Sequence, residues 1–290
     1  MESGDAPSGR SQGERVTQRS TNQQLPQVEP RRPSAFFKWL TYLVLMPIIA
    51  AWTIGCGLLS LLTSTWDRNG KQQHSIAQVW ARGMLLTAGS RVTVVHPERL
   101  HQPGACVYAC NHLSYMDTPA LFGTLPFQFR ILANHYLFKY PAVGWHLTRS
   151  GQVPIDQSSL RSQIAGLSRG VKTLQDGMPI LLFPDGSRSS DGHVRQFLSG
   201  AAFMAIKAQV PLVPMALIGT YELLPMHTYS LSPRPLLLVI GEPIPTTGMT
   251  TKNADALTRQ LLQTISDMYY AHSPLPRPEQ APPSESKVFV

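Results

Sequence analysis

Charge is scarce in this chain. Asp, Glu, Lys and Arg together make up 14% of its 290 residues, well under the ~25% of an average soluble domain. Acid is scarcer than base, 17 residues against 25, for a formal charge of +8. That imbalance suits an anionic partner: a membrane surface, a phosphorylated substrate or nucleic acid. The basic residues are scattered and form no aromatic-interleaved stripe, which argues against nucleic acid. Three cysteines, Cys56, Cys106 and Cys110, are too few for a disulfide framework and read as reduced thiols. No Gly-x-Ser-x-Gly elbow follows a strand-like run, which speaks against a serine hydrolase. It also has no His-Glu-x-x-His and no paired cysteines. No metal site is therefore expected, and His96, His101, His135 and His146 read as surface or core side chains. No internal repeat is present.

What is present falls into four stretches. Residues 1–33 are rich in Ser, Gln, Gly, Pro and Arg and are expected to be disordered. Residues 34–66 read as a membrane anchor. The run 35–62 carries one charge, Lys38, and at ~1.5 Å per residue it is long enough to cross ~30 Å of hydrocarbon. Trp39, Tyr42, Trp52 and Trp66 are candidate interfacial anchors. Pro47, Gly55 and Gly57 also permit two short helices that dip into one leaflet and return, and a buried core helix is a third reading. Arg31, Arg32 and Lys38 on one side balance Arg68, Lys71 and Arg82 on the other, so charge does not set the orientation. A cleaved signal peptide is not expected so far from Met1.

Residues 76–272 read as one α/β domain, and the Pro-rich stretch 273–290 as a loose tail. Strands are expected at 91–96, 105–110, 129–133, 152–155, 180–183, 212–218 and 236–240. Leu160, Ile164, Leu167, Val171 and Leu174 follow a helical spacing, with Ser158 as cap and Gly177 as stop. Further helices are expected over 200–208 and around Leu257, Leu261, Ile265 and Met268.

The most informative run is Tyr108-Ala109-Cys110-Asn111-His112-Leu113-Ser114-Tyr115-Met116-Asp117. An imidazole can take a proton from an alcohol near neutral pH, and a carboxylate can hold its ring in the useful tautomer. Five residues on a straight helix is about 500° of rotation, which separates the two side chains. They meet only if His112 lies in a strand-to-helix turn and Asp117 in the first helical turn. Ser114 as N-cap and Pro119 early in the helix are compatible with that.

A second run, Phe183-Pro184-Asp185-Gly186-Ser187-Arg188-Ser189, follows an apolar strand. It offers a carboxylate, a hydroxyl, backbone N–H groups and a guanidinium, whose planar fork suits phosphate. Gly151-Gln152-Val153-Pro154-Ile155-Asp156 is a strand ending in an acid, and Val210-Pro211-Leu212-Val213-Pro214 reads as a buried strand.

In this order the four runs resemble the phospholipid/glycerol acyltransferase family, typified by 1-acylglycerol-3-phosphate acyltransferase. Its blocks read Asn-His-x-x-x-x-Asp, Gly-x-hydrophobic-x-Ile-Asp-Arg, Phe-Pro-Glu-Gly-Thr-Arg-Ser and Val-Pro-x-x-Pro. The resemblance covers roughly residues 80–245 and includes Phe197-Leu198-Ser199-Gly200-Ala201, like the family's Phe-x-x-Gly-Ala helix start. It implies an α/β fold with a mixed central sheet flanked by helices, plus an N-terminal membrane-anchoring helical segment. His112 would be the general base and Asp117 its orienting partner, while Asp185, Gly186, Ser187 and Arg188 would bind substrate. The implied reaction is acyl transfer from acyl-CoA or an acyl-carrier protein to a lysolipid hydroxyl, giving phosphatidic acid from 1-acyl-sn-glycerol 3-phosphate. No metal or cofactor is implied, and the catalytic domain would face the cytoplasm at a membrane.

Four positions depart from the family pattern. Asp185 stands for Glu, Ser187 for Thr, Gln157 for Arg and Asn134 for a frequent Lys. The last two remove cations where a phosphate headgroup would bind, each charge-assisted bond being worth about 1.5–3 kcal/mol. Arg130, Lys139, Arg149 and Arg161 are the available substitutes. Another lysolipid, a lyso-aminolipid or a lysophospholipid, is the alternative acceptor, and a non-enzymatic basic membrane-binding protein is the alternative of another class.

Overall fold

The computed structural model describes residues 39–278 apart from 103, 141–142 and 229–230, so the expected 1–33 tail and residues 279–290 lie outside the described residues. The short Val-, Ile- and Leu-rich runs form seven strands: β1 (Val92–Val95), β2 (Val107–Cys110), β3 (Arg130–Asn134), β4 (Val153–Ile155), β5 (Ile180–Leu182), β6 (Leu212–Ile218) and β7 (Leu236–Ile240). Each falls within the expected stretch or one residue beyond it. They build one sheet in the order β1-β7-β6-β2-β5-β3-β4. Neighbours run parallel except β6 and β7, which are antiparallel. The sheet is therefore mixed and flanked by helices.

β2, β5, β6 and β7 are buried at every position, as expected of strands covered on both faces. Val107 and Ala109 face the layer formed by the Leu160–Gln175, Gly200–Ala208 and Ala254–Tyr270 helices. Tyr108 and Cys110 face the Lys71–Thr87 and Asp117–Thr124 helices. β2 lies between β5 and β6, so the loops leaving the carboxyl ends of β2 and β5 emerge side by side. A crevice at such strand ends is where open α/β sheets bind ligands.

The anchor region forms one continuous apolar helix rather than two short ones. A π-helical turn (Thr41–Leu45) runs directly into the Met46–Thr63 helix, forming a 23-residue apolar rod only 11% buried over its most apolar window. It is thus no core helix, and at ~1.5 Å per residue it is about 34 Å long. Pro47 sits at the start of the α-helical part, where a missing N–H costs least. Gly55 and Gly57 do not break it. The chain then turns, and the Lys71–Thr87 helix returns antiparallel to it, its start capped by the Asp67 carboxylate, which accepts from the Lys71 and Gln73 N–H groups. The rod is tied to the domain along its length. Trp52 Nε1 donates to the Trp80 carbonyl and Trp80 Nε1 to Thr53 Oγ1. Ser60 Oγ lies 2.6 Å from His146 Nδ1, and Arg149 donates to Ser64 Oγ. Large apolar side chains along it, among them Trp39, Leu43, Ile54, Leu58, Leu62 and Trp66, are exposed.

Two expected caps are displaced. Ser159, rather than Ser158, caps the Leu160–Gln175 helix by accepting from the Ser162 N–H. Ser158 is occupied one turn earlier, donating its N–H to Asp156. The Lys71–Thr87 helix starts ahead of residue 76, and Arg277 is paired to Asp267 and set over the Tyr270 ring.

Candidate active site

β2 ends in Asn111, whose fully buried amide continues the ladder to β6: Nδ2 donates to the Leu217 carbonyl at 2.9 Å and Oδ1 accepts from the Leu217 N–H at 2.8 Å. That double bond ends the strand at a defined point and turns His112 toward the crevice. Nothing in the residue pattern had given Asn111 a task; only the cross-strand register shows it. The backbone of His112 is gripped on both sides by the loop after β5. Its N–H donates to Asp185 Oδ2 at 3.2 Å, and its carbonyl accepts from the Ser189 N–H at 3.0 Å.

The His112 ring stacks on Phe183, centroids 3.9 Å apart and planes 13° from parallel. Its Nδ1 donates to Asp117 Oδ2 at 2.8 Å. Because a carboxylate only accepts, this contact puts the proton on Nδ1 and leaves Nε2 with a free lone pair. Asp117 is the first residue of the Asp117–Thr124 helix and is fully buried. The same Oδ2 also accepts from the Leu113 N–H at 2.7 Å and the Ser114 N–H at 2.8 Å. The carboxylate therefore ties down the turn that leads into its own helix. Ser114 is not the N-cap: Met116 occupies that position, and Ser114 Oγ donates to the Leu224 carbonyl.

His112 lines a cavity of about 480 Å³. Gly186, Ser187 and Arg188 line it too, whereas Asp185, expected to bind substrate, does not. Gly186 adopts a left-handed φ of 69°, and a Cβ there would press on Leu198 at 2.8 Å, so the tight turn needs glycine. Arg188 is held over the Tyr115 ring, 4.1 Å from its centroid. Asn134 and Gln157 also line the cavity. Asn134 Oδ1 is engaged, accepting from the Tyr136 N–H. None of the four substitute cations is among the lining residues. Arg130 donates to the Asn69 carbonyl, Arg149 to Ser64, and Lys139 rests over Tyr136, while Arg161 lies on the surface.

A second cavity of about 540 Å³ lies between the Met46–Thr63 helix and the domain. Thr118, Ile131 and Leu137 belong to the walls of both, so the two spaces adjoin. The second is almost entirely apolar, with Ile54, Leu58, Phe122 and Leu147 among its lining.

All three cysteines are buried and free. Burial, reinforced by Asp117 and Asp185, pushes the Cys110 thiol well up, so it stays protonated beside the dyad. No cluster of metal-ligating side chains exists among the described residues.

Comparison with known proteins agrees with this geometry. Residues 91–218 match the family model described as Acyltransferase. The chain is similar to a 1-acyl-sn-glycerol-3-phosphate acyltransferase of Chlamydomonas reinhardtii, 31% identical over 239 residues, covering 81% of this chain and 68% of the relative. It also resembles the chloroplastic enzyme of that description from Brassica napus, 32% identical over 156 residues, covering 53% of this chain and 45% of the relative. It thus spans about half the length of the plant protein. Among solved structures, the 1-acyl-sn-glycerophosphate (LPA) acyltransferase PlsC of Thermotoga maritima superposes with a TM-score of 0.68 at 23% identity. That match covers 80% of this chain and 95% of the other, a likeness of fold. With a relative above 30% identity matched over two thirds of its length, a family model laid on the strands that carry His112 and Arg188, and a shared fold, the chain belongs to the acyltransferase family and is an O-acyltransferase.

Proposed function

We propose that the protein transfers an acyl group from a thioester, acyl-CoA or acyl-carrier protein, to the free hydroxyl of 1-acyl-sn-glycerol 3-phosphate, forming phosphatidic acid. The observation that carries this reading is the His112 Nδ1–Asp117 Oδ2 contact at 2.8 Å in a cavity that also holds Arg188. His112 Nε2 takes the proton of the acceptor hydroxyl as its oxygen attacks the thioester carbonyl, and Asp117 stabilises the imidazolium that forms. The backbone N–H groups of Ser187 and Arg188 are suited to the tetrahedral oxyanion, while that of Gly186 is engaged by the Phe183 carbonyl. Collapse expels the thiolate, which takes the proton back from His112, so the enzyme ends as it began. Acceptor and donor alkyl chains need apolar space, and the adjoining cavity beneath the Met46–Thr63 helix offers it.

The exposed apolar face of that helix is the membrane contact in this reading. A rod tied to the domain along its length lies in one leaflet beside the site, with the domain on the cytoplasmic side. The relatives' printed acceptor supports lysophosphatidate. Asn134 and Gln157, neutral where cations are frequent in the family, favour a second acceptor with less headgroup charge, such as a lyso-aminolipid.

The test is purified protein with labelled acyl thioesters and a panel of lysolipids. Transfer to lysophosphatidate at rates above the other lysolipids is expected, and thioester hydrolysis without acceptor would oppose the reading. Arg188→Ala is expected to raise KM for the phosphorylated acceptor by about 10–100-fold, from one lost charge-assisted bond, and to leave KM for an uncharged lysolipid nearly alone. Equal increases for both acceptors would remove Arg188 from phosphate recognition.

A further inference from the structure

Asp185 is the one residue of its motif whose expected task the fold does not permit. Its carboxyl is buried on the far side of the His112 backbone, away from the cavity that Gly186, Ser187 and Arg188 line. Oδ2 accepts one bond, from the His112 N–H at 3.2 Å, and the buried Oδ1 has no partner. Asp117 also has a buried Oδ1 without a partner, but three donors converge on its Oδ2. An ionised carboxylate sealed from water, with only the 3.2 Å bond from His112 and a contact to its own backbone N–H, is under-solvated. The titratable groups around it are Asp117, the Cys110 thiol and His112, while Arg188 on its own turn is engaged over Tyr115. Burial pushes the Asp185 carboxyl up to about 8; the bond from His112 opposes this, and Asp117 adds to it.

We propose that Asp185 is a positioning residue working in its acid form, whose neutral carboxyl holds the His112 backbone so that the imidazole faces both Asp117 and the cavity. Together with the Ser189 N–H on the His112 carbonyl, it makes the loop after β5 a clamp on the general base. Ionisation of Asp185 places a second buried negative charge behind His112 and beside Asp117. The residue thereby sets an upper pH bound on the dyad rather than touching substrate.

The sign follows from the raised value. Asp185 binds a proton in the folded state between its unfolded value of 3.8 and about 8, so its contribution to stability is fully present below 3.8 and is lost as pH rises toward 8. Asp185→Asn copies the acid form in shape and hydrogen bonding and removes the titration. Asp185→Leu removes the acceptor as well.

In the wild type, the His112 ring resonances followed by NMR should show a step near pH 8 that Asp185→Asn lacks. The unfolding temperature should fall more steeply between pH 4 and 8 in the wild type than in Asp185→Asn. These two readouts need no substrate; absence of the step, or equal slopes, overturns the proposal. The kinetic arm rests on the acyl-transfer reading. Asp185→Leu should lower kcat more than tenfold with acceptor KM within about threefold, and Asp185→Asn should recover most of that loss and extend activity to higher pH. A tenfold rise in acceptor KM for Asp185→Asn, or a kcat as low as that of Asp185→Leu, overturns it. Inactivity of the wild type would instead remove the acyl-transfer reading, with the two substrate-free readouts still deciding on Asp185.

Discussion

His112→Ala is expected to lower the acyl-transfer kcat by about 10²–10⁴-fold, the usual contribution of a positioned general base. The change removes the group in the cavity wall whose proton acceptor is held in one tautomer by a buried carboxylate. The fold should survive, because the clamp on residue 112 uses backbone atoms that alanine retains: its N–H to Asp185 and its carbonyl from Ser189. The lost ring also stacks on Phe183, so a modest drop in unfolding temperature accompanies the change. Rate and thermal unfolding measured on one preparation separate the two effects. A variant that keeps more than about a tenth of wild-type kcat is incompatible with His112 as the base.

Asp117 should show two distinct effects, depending on what replaces it. Asn keeps an oxygen that can accept from Leu113 and Ser114, so the turn and helix start are preserved. It carries no charge, however, and the imidazolium formed during transfer loses its counter-ion. By analogy with hydrolase triads, kcat should fall by about 10³–10⁴-fold. Ala leaves two buried N–H groups and the ring Nδ1 without an acceptor, which should destabilise the fold by about 3–5 kcal/mol. Chemical denaturation of both variants should therefore show Asn near the wild-type midpoint and Ala far below it. An Asn variant as unstable as Ala would mean that the charge itself holds the turn.

Much of the sheet could be read from the sequence. All seven strands lie within a residue of where short β-branched and leucine-rich runs predict them, and β2, β5, β6 and β7 are apolar because they are buried on both faces. The amphipathic Leu160–Gln175 helix was equally legible from its spacing, although its cap lies one residue on, at Ser159. The anchor was legible as an apolar run and not as a geometry. Hydropathy says that such a segment seeks an apolar surface, while its attachment to Trp80, His146 and Arg149 depends on residues far along the chain. For the same reason the second cavity, formed only where this helix meets the domain, has no local signature.

The sequence alone determined that an imidazole and a carboxylate five residues apart follow a buried strand, and that a glycine-bearing turn with an arginine follows another. Those are local facts, set by residue type and spacing along one stretch of backbone. Tertiary structure decided the rest. Placing β2 next to β5 and β6 brings the two loops together, gives Asn111 its cross-strand bonds and Phe183 its place against the ring, and turns Asp185 inward to grip His112. Each of these contacts joins residues about 70 or more positions apart in the chain, and only the packing of the sheet makes them neighbours.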